Sequence, residues 1–131
     1  MLPCFVLLDL ETTGGSAVHD RITEIAAVRV ENGVEVGRWS TLVNPGVSIP
    51  PFIQSLTGIT DAMVEDAPTF AQVAPRLLQL LDGAVFVAHN VRFDHGFVVN
   101  ELARLEKPFK VKTLCTVRLS RKLYPQHKGH G

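Results

Sequence analysis

Two acidic residues follow an apolar stretch near the start of the chain. Asp9 and Glu11 come directly after residues 5–8, which have the composition of a buried central strand. Side chains two residues apart in a strand point to the same face, so these carboxylates lie side by side. Adjacent carboxylates repel each other unless a cation lies between them, and all-oxygen ligands favour Mg²⁺ or Mn²⁺. The alternative is that the two acids only end a strand and begin a turn.

A second apolar stretch, residues 84–88, also leads into polar residues. His89, Asn90 and Asp94 follow it. If this strand lies beside the first, the carboxylate of Asp94 meets the other two at the same edge of the sheet. Considered alone, Asp94 is a good helix N-cap, and His89 and Asn90 are ordinary turn residues. The three carboxylates together predict a site for divalent cations.

Five strands that would position these residues are predicted from short apolar or alternating stretches. They span residues 5–8, 22–30, 34–43, 84–88 and 111–115. Asn32 and Gly33 predict a two-residue hairpin turn, so the second and third strands pair antiparallel. Residues 44–68 are rich in Pro and Gly and are predicted to be irregular, with a short helical turn or two.

Three helices are predicted from apolar residues at helical spacing. The first follows a capping-box pattern made by Thr69 and Gln72, and Pro75 inside it predicts a kink or a later start. The other two span residues 94–105 and 117–124. A hairpin followed by alternating strands and helices predicts an α/β domain, with a mixed sheet and helices on its faces.

The composition is that of one ordinary globular domain. The chain has 131 residues, is 46% hydrophobic and 20% charged, and has a formal net charge of zero. Residues 104–131 carry a charge of about +7, and the preceding residues about −7. A basic segment suits contact with phosphates, and it equally suits a solvated surface. With no long apolar run and no signal-peptide pattern, we expect a cytoplasmic protein without membrane contact.

The two acidic motifs and the segment between them resemble one family of nucleases. Residues 5–14, F-V-L-L-D-L-E-T-T-G, are similar to the first motif of the DnaQ-like, or DEDD, 3′-5′ exonucleases. Residues 89–94, H-N-V-R-F-D, are similar to the second motif. Residues 43–46, 49–50 and 56–61 resemble the connecting segment of bacterial proofreading exonucleases, such as the epsilon subunit and the PolC exonuclease domain of DNA polymerase III.

This resemblance implies an RNase H-like fold, in which a mixed five-stranded sheet has antiparallel strands 1–3, then βα units, and is flanked by helices. It implies a metal-dependent exonuclease that releases mononucleotides from the 3′ end of DNA, in proofreading or repair. Asp9, Glu11 and Asp94 would bind two ions, Mg²⁺ or Mn²⁺, with Asp9 bridging them. The substrate-binding residues that it implies are Thr12, Thr13, Thr57, Ile59, His89, Asn90 and Phe93.

The family also requires a third motif, with a general-base His and a fourth carboxylate shortly after it. No acid follows His127 or His130. We therefore expect residues 1–131 to form a single exonuclease domain that ends before this motif and is impaired without it. Loss of a general base lowers a rate by about 10²- to 10⁴-fold. The last helix of the family should also cover part of the sheet, so its absence should expose apolar surface.

The expected partner is the 3′ end of single-stranded DNA, together with a DNA polymerase subunit or an attached nuclease domain. Two alternatives stay open. One is an RNA exonuclease of the RNase T or oligoribonuclease kind, against which residues 56–60 favour DNA by resemblance. The other is a catalytically inactive nucleic-acid-binding module, against which the intact carboxylates argue.

Overall fold

The computed structural model describes residues 3–107, 109 and 113–115, which form a five-stranded mixed sheet with helices packed against it. The strands are β1 (Phe5–Thr12), β2 (Ile22–Glu31), β3 (Val34–Leu42), β4 (Val85–Ala88) and β5 (Thr113–Cys115). The helices are α1 (Pro51–Thr57), α2 (Asp61–Val64), α3 (Phe70–Leu81) and α4 (Val91–Arg104).

The strand order in the sheet is β3-β2-β1-β4-β5, which places β1 at the centre. β1 pairs antiparallel with β2, and β2 pairs antiparallel with β3. β4 is parallel to β1 on its other side, and β5 is parallel to β4. The predicted mixed five-stranded sheet, antiparallel first and then built of βα units, is confirmed.

The main core lies against one face of β1. Val6, Leu8 and Leu10 alternate with more exposed residues, as expected when one face of a strand is buried. They join one apolar cluster with Leu77 of α3 and Phe97 of α4, both fully buried. The odd-numbered positions of β1, which include Asp9 and Glu11, therefore point away from this cluster.

Helix α4 begins at Val91, so the predicted start at residue 94 is wrong. The backbone amides of Phe93 and Asp94 both donate to the carbonyl of Asn90, at 3.0 and 3.2 Å. Val91 is also buried in the main core, so the helix packs against the core from its first residue. Asp94 consequently lies in the first turn of α4 and is not its N-cap.

The capping box at the start of α3 is confirmed. The hydroxyl of Thr69 accepts a bond from the amide of Gln72, and the Gln72 side chain accepts one from the amide of Thr69. Because this cap holds the first turn, Pro75 does not delay the start of the helix, which begins at Phe70. The irregular segment 44–68 contains the two short helices α1 and α2.

Several predictions fall on residues outside those described. They are the helix at 117–124, the first two residues of the last strand, most of the basic segment, and the two histidines at 127 and 130. Within the described ranges, no helix is long and apolar enough to cross a membrane.

Candidate active site

The parallel pairing of β1 and β4 brings Asp94 to the end of β1. β4 pairs with the first part of β1 and ends beside it, and only two residues separate the end of β4 from the start of α4. The first turn of α4 therefore lies next to the last residues of β1. Asp94 is 6% exposed, and its carboxylate accepts a hydrogen bond from the backbone amide of Leu10, between Asp9 and Glu11.

The three predicted ligands interact electrostatically. Burial, and then the negative charges of Asp9 and Glu11, together raise the pKa of Asp94 from 3.8 to about 6, although the hydrogen bond from Leu10 opposes this rise. The pKa of Glu11 is also raised, first by burial and then by the charges of Asp9 and Glu24. Like charges near each other favour protonation of one partner or binding of a cation.

The arrangement suits a hard divalent cation chemically, because the side chains offer only carboxylate oxygens. Among the described residues, however, no three His, Cys, Asp or Glu side chains are grouped as ligands of one ion. The carboxylates are thus close enough to perturb one another but are not in a preformed coordination shell. A cation bound here would have to draw Asp9, Glu11 and Asp94 closer together.

A cleft of about 250 Å³ lies beside Glu11. Four of the predicted site residues line this cleft: Glu11, Thr12, Thr57 and Phe93. The residues that complete its wall are Leu10, Gly14, Gly15, Ile53 and Leu56. Ile53 and Leu56 are not among the predicted site residues, although Leu56 directly precedes Thr57 in a segment that carries the resemblance.

Asp9 and His89 line a second concavity, of about 320 Å³. The rest of its lining is apolar: Leu7, Leu8, Ala26, Val28, Val87 and Ala88. Leu7 is 46% exposed on the same side of β1 as Asp9. Apolar surface is therefore exposed next to the carboxylates.

The two threonines after Glu11 have different surroundings. Thr12 lines the cleft and its hydroxyl donates to the carbonyl of Gly14 at 2.7 Å. Thr13 is 3% exposed, and its hydroxyl donates to Asp20 and accepts from the amide of Arg21. The side chain of Thr13 is thus engaged within the loop that follows β1.

The predicted substrate-binding residues Thr57, Ile59 and Asn90 have three different surroundings. The hydroxyl of Thr57 donates to the carbonyl of Ile53 at 2.8 Å. Ile59 is 4% exposed and packs into a small second core with Ile49, Ile53 and Val64, not into the cleft wall. Asn90 is exposed at the start of α4.

A family model described as Exonuclease matches residues 6–131. The chain belongs to this exonuclease family, and the predicted resemblance is confirmed. The 3'-5' exonuclease DinG of Bacillus subtilis (strain 168) is 50% identical over 129 residues, which cover 96% of this chain and 14% of that protein. DNA polymerase III subunit epsilon of Aquifex aeolicus (strain VF5) is 40% identical over 127 residues, covering 96% of this chain and 63% of that protein. The chain thus spans less than two thirds of these relatives.

Solved structures share the fold. Exonuclease X in complex with 5' overhanging duplex DNA matches with a TM-score of 0.75 at 32% identity, over 95% of this chain and 66% of that one. Exonuclease I (apo) matches with a TM-score of 0.85 at 22% identity, over 95% and 31% of the two chains. The RNase H-like fold implied by the sequence is confirmed.

Proposed function

We propose that this chain is a metal-dependent 3′-5′ exonuclease domain that removes mononucleotides from the 3′ end of DNA. The observation that carries the proposal is the group of three interacting carboxylates beside a cleft, in a chain of the exonuclease family. The names of its relatives support the polarity and the nucleic acid, since one is a 3'-5' exonuclease and another is solved with DNA.

In this proposal Asp9, Glu11 and Asp94 hold two divalent ions, Mg²⁺ or Mn²⁺. Such ions, when bound, supply an activated water and stabilise the leaving oxygen of a phosphodiester. The chain's own contribution is electrostatic. A nearby cation favours the ionised form of Asp94, whose pKa is otherwise raised to about 6, so metal binding below that pH releases its proton. The amide of Leu10 orients this carboxylate.

We propose that the cleft beside Glu11 takes the 3′-terminal nucleotide. Thr12 and the neighbouring glycines give a backbone that a sugar can approach closely, and Leu56 and Phe93 give apolar walls for a base. His89 and Asn90 would contact the strand from the side of Asp9. Thr13 and Ile59 would act by holding the loop and the wall in place, because their side chains are buried.

Residues 1–131 would form one exonuclease domain that works beside a DNA polymerase subunit or an attached nuclease domain. The relation to DNA polymerase III subunit epsilon supports the first partner. With either partner, the domain would act in proofreading or repair.

The direct test uses single-stranded DNA labelled at one end and supplied with Mn²⁺. A 5′ label should give a ladder of progressively shorter strands, and a 3′ label should give mononucleotides at once. A chelator should stop the reaction, and a 3′-phosphate should block it, because the cleft is proposed to hold a free 3′-hydroxyl. Internal cuts or digestion from the 5′ end contradict the assignment. Faster cleavage of the matched RNA strand would favour the ribonuclease alternative.

Leu56→Ala should raise the KM for a DNA strand by about tenfold, because it removes an apolar wall from the proposed nucleotide site. Phe52→Ala is the matched control. Phe52 is on the same helix and is 71% exposed, against 77% for Leu56, but it does not line the cleft. Steady-state kinetics on one oligonucleotide should separate the two variants. Equal effects would place the strand on the outer surface of α1 instead of in the cleft.

A further inference from the structure

Glu101 is a buried acid that the proposed mechanism does not use. It lies on α4, about two turns after Asp94, and its side chain is only 4% exposed. Oε2 accepts a bond from the backbone amide of Ile22 at 3.3 Å. Oε1 contacts Arg104 at 2.7 Å and Arg21 at 3.5 Å. A buried charge is tolerated when it is paired and hydrogen-bonded, and both conditions hold here.

Arg104 extends these contacts to the loop between β1 and β2, residues 13–21. Its guanidinium donates to the carbonyl of Val18 at 2.7 Å and to that of Ala17 at 3.3 Å. Gly96, on the same helix, packs against the same loop: a Cβ there would be in ordinary van der Waals contact with that of Ala17, at 3.6 Å. Helix α4 therefore contacts the loop at its middle, residues 17–18, and at its end, where Glu101 contacts Arg21.

The loop is also tied together by hydrogen bonds between its own residues. The carboxylate of Asp20 accepts from the hydroxyl of Thr13 and from the amide of Ser16. The amide of Thr13 donates to the carbonyl of Arg21 at 2.8 Å. A Cβ on Gly14 would lie 2.5 Å from the Asp20 carboxylate, which shows how tightly the loop is closed.

The amide that Glu101 binds lies directly opposite the proposed site. Thr12 pairs with Ile22 and Glu11 with Glu24, so the register shifts and one residue of β2 is extra at this point. Such bulges redirect the side chains around them and are common beside active sites. A bond to the Ile22 amide thus holds the strand end across from Thr12.

We propose that Glu101, Arg21 and Arg104 form a clamp that positions the end of β1 against α4. It would keep Glu11 and Thr12, on β1, in register with Asp94, on α4, so that a cation and a terminal nucleotide can bind. These clamp residues are positioning residues and touch neither ligand. What the site binds rests on the proposed function. The connection that the clamp makes between α4 and the end of β1 does not depend on that function.

The test compares Glu101→Gln with Glu35→Gln in the full chain. Glu35 also pairs with an Arg three residues later, but on the exposed hairpin strand β3, so the same substitution removes a similar ion pair far from the site. Glu101→Gln should speed hydrogen exchange at the amides of Ser16, Ile22 and, through α4, Leu10. It should also weaken binding of Mn²⁺ and of dTMP by about tenfold, the effect typical of residues that orient ligands. Glu35→Gln should change neither.

A second variant covers the case in which Glu101→Gln does not fold. Arg104→Gln leaves Glu101 in place and removes the bonds to the two loop carbonyls, so it should give smaller changes of the same kind. Unchanged exchange at Leu10, or faster exchange with Mn²⁺ and dTMP affinity equal to that of Glu35→Gln, would overturn the clamp. If the unmodified chain binds neither Mn²⁺ nor dTMP, the proposed function fails, and the exchange at Leu10 still decides whether the clamp exists.

Discussion

In the absence of divalent cations, Asp94→Asn should raise the free energy of unfolding at pH 8 by about 3 kcal/mol. The reason is that the folded protein holds an ionised Asp94 in an unfavourable environment. Burial, and then the charge of Asp9, raises the pKa of this carboxyl from 3.8 to about 6. A neutral amide of the same shape avoids both effects, and its oxygen can still accept the bond from Leu10.

The sign of the pH dependence follows from the same shift. The pKa of Asp94 is higher in the folded state than in the unfolded state, so protonation of Asp94 stabilises the folded state. This stabilising contribution is fully present below about pH 4. That contribution is lost as the pH rises through about 6. Glu11 adds a slope of the same sign, since its pKa is also raised. The stabilities of the wild type and of Asp94→Asn should therefore diverge as the pH increases from 4 to 8.

Urea denaturation in a chelating buffer, repeated across this pH range, measures the difference. Asp66→Asn, at an exposed position, is the control and should leave the pH profile unchanged. Adding Mn²⁺ should reverse the order of the two proteins, because only the wild type keeps the full set of carboxylates. If Asp94→Asn is less stable than the wild type at pH 8 without metal, the carboxylates do not repel one another as inferred.

The parts of the fold that the sequence predicts correctly are those that depend on local patterns. The hairpin at Asn32 and Gly33 needs positive φ at both residues, and both adopt it, at 52° and 78°. The capping box of Thr69 is likewise a relation between residues three apart. The sequence places the start of α4 too late because Asp94 is a good N-cap by type, whereas Asn90 holds the first turn through its carbonyl.

The candidate site likewise contains residues that a local sequence pattern reveals and residues that only tertiary contacts reveal. The acidic residues stand out because a carboxylate at the end of an apolar strand is unfavourable unless it is paired or binds a metal. Leu56 and Glu101 carry no such local signal. Glu101 acquires its role through a bond to an amide 79 positions earlier in the chain, which periodicity cannot reveal. Resemblance also marks positions without telling whether a side chain faces the cleft or the core, as the burial of Ile59 illustrates.

Asp9→Asn should lower the rate of DNA hydrolysis by about 10³-fold, because losing one carboxylate weakens a cation site that is worth several kcal/mol to the transition state. The fold should survive the change. Asp9 is exposed on β1, outside the main core. Its charge raises the pKa of Asp94 and of Glu11, so its removal should also make the metal-free protein more stable. Activity and stability should thus change in opposite directions, as expected for a residue kept for function.

Glu24→Gln is the matched control for Asp9→Asn. Glu24 pairs with Glu11 across the sheet and raises its pKa, so it contributes negative charge to the same region without being a proposed ligand. Single-turnover hydrolysis of a 3′-labelled strand at saturating Mn²⁺ should show a rate within a few-fold of the wild type for Glu24→Gln. A loss as large as that of Asp9→Asn would mean that total charge, and not the three named carboxylates, governs the reaction. An active Asp9→Asn would remove Asp9 from the site, leaving Glu11 and Asp94 too few to hold two ions.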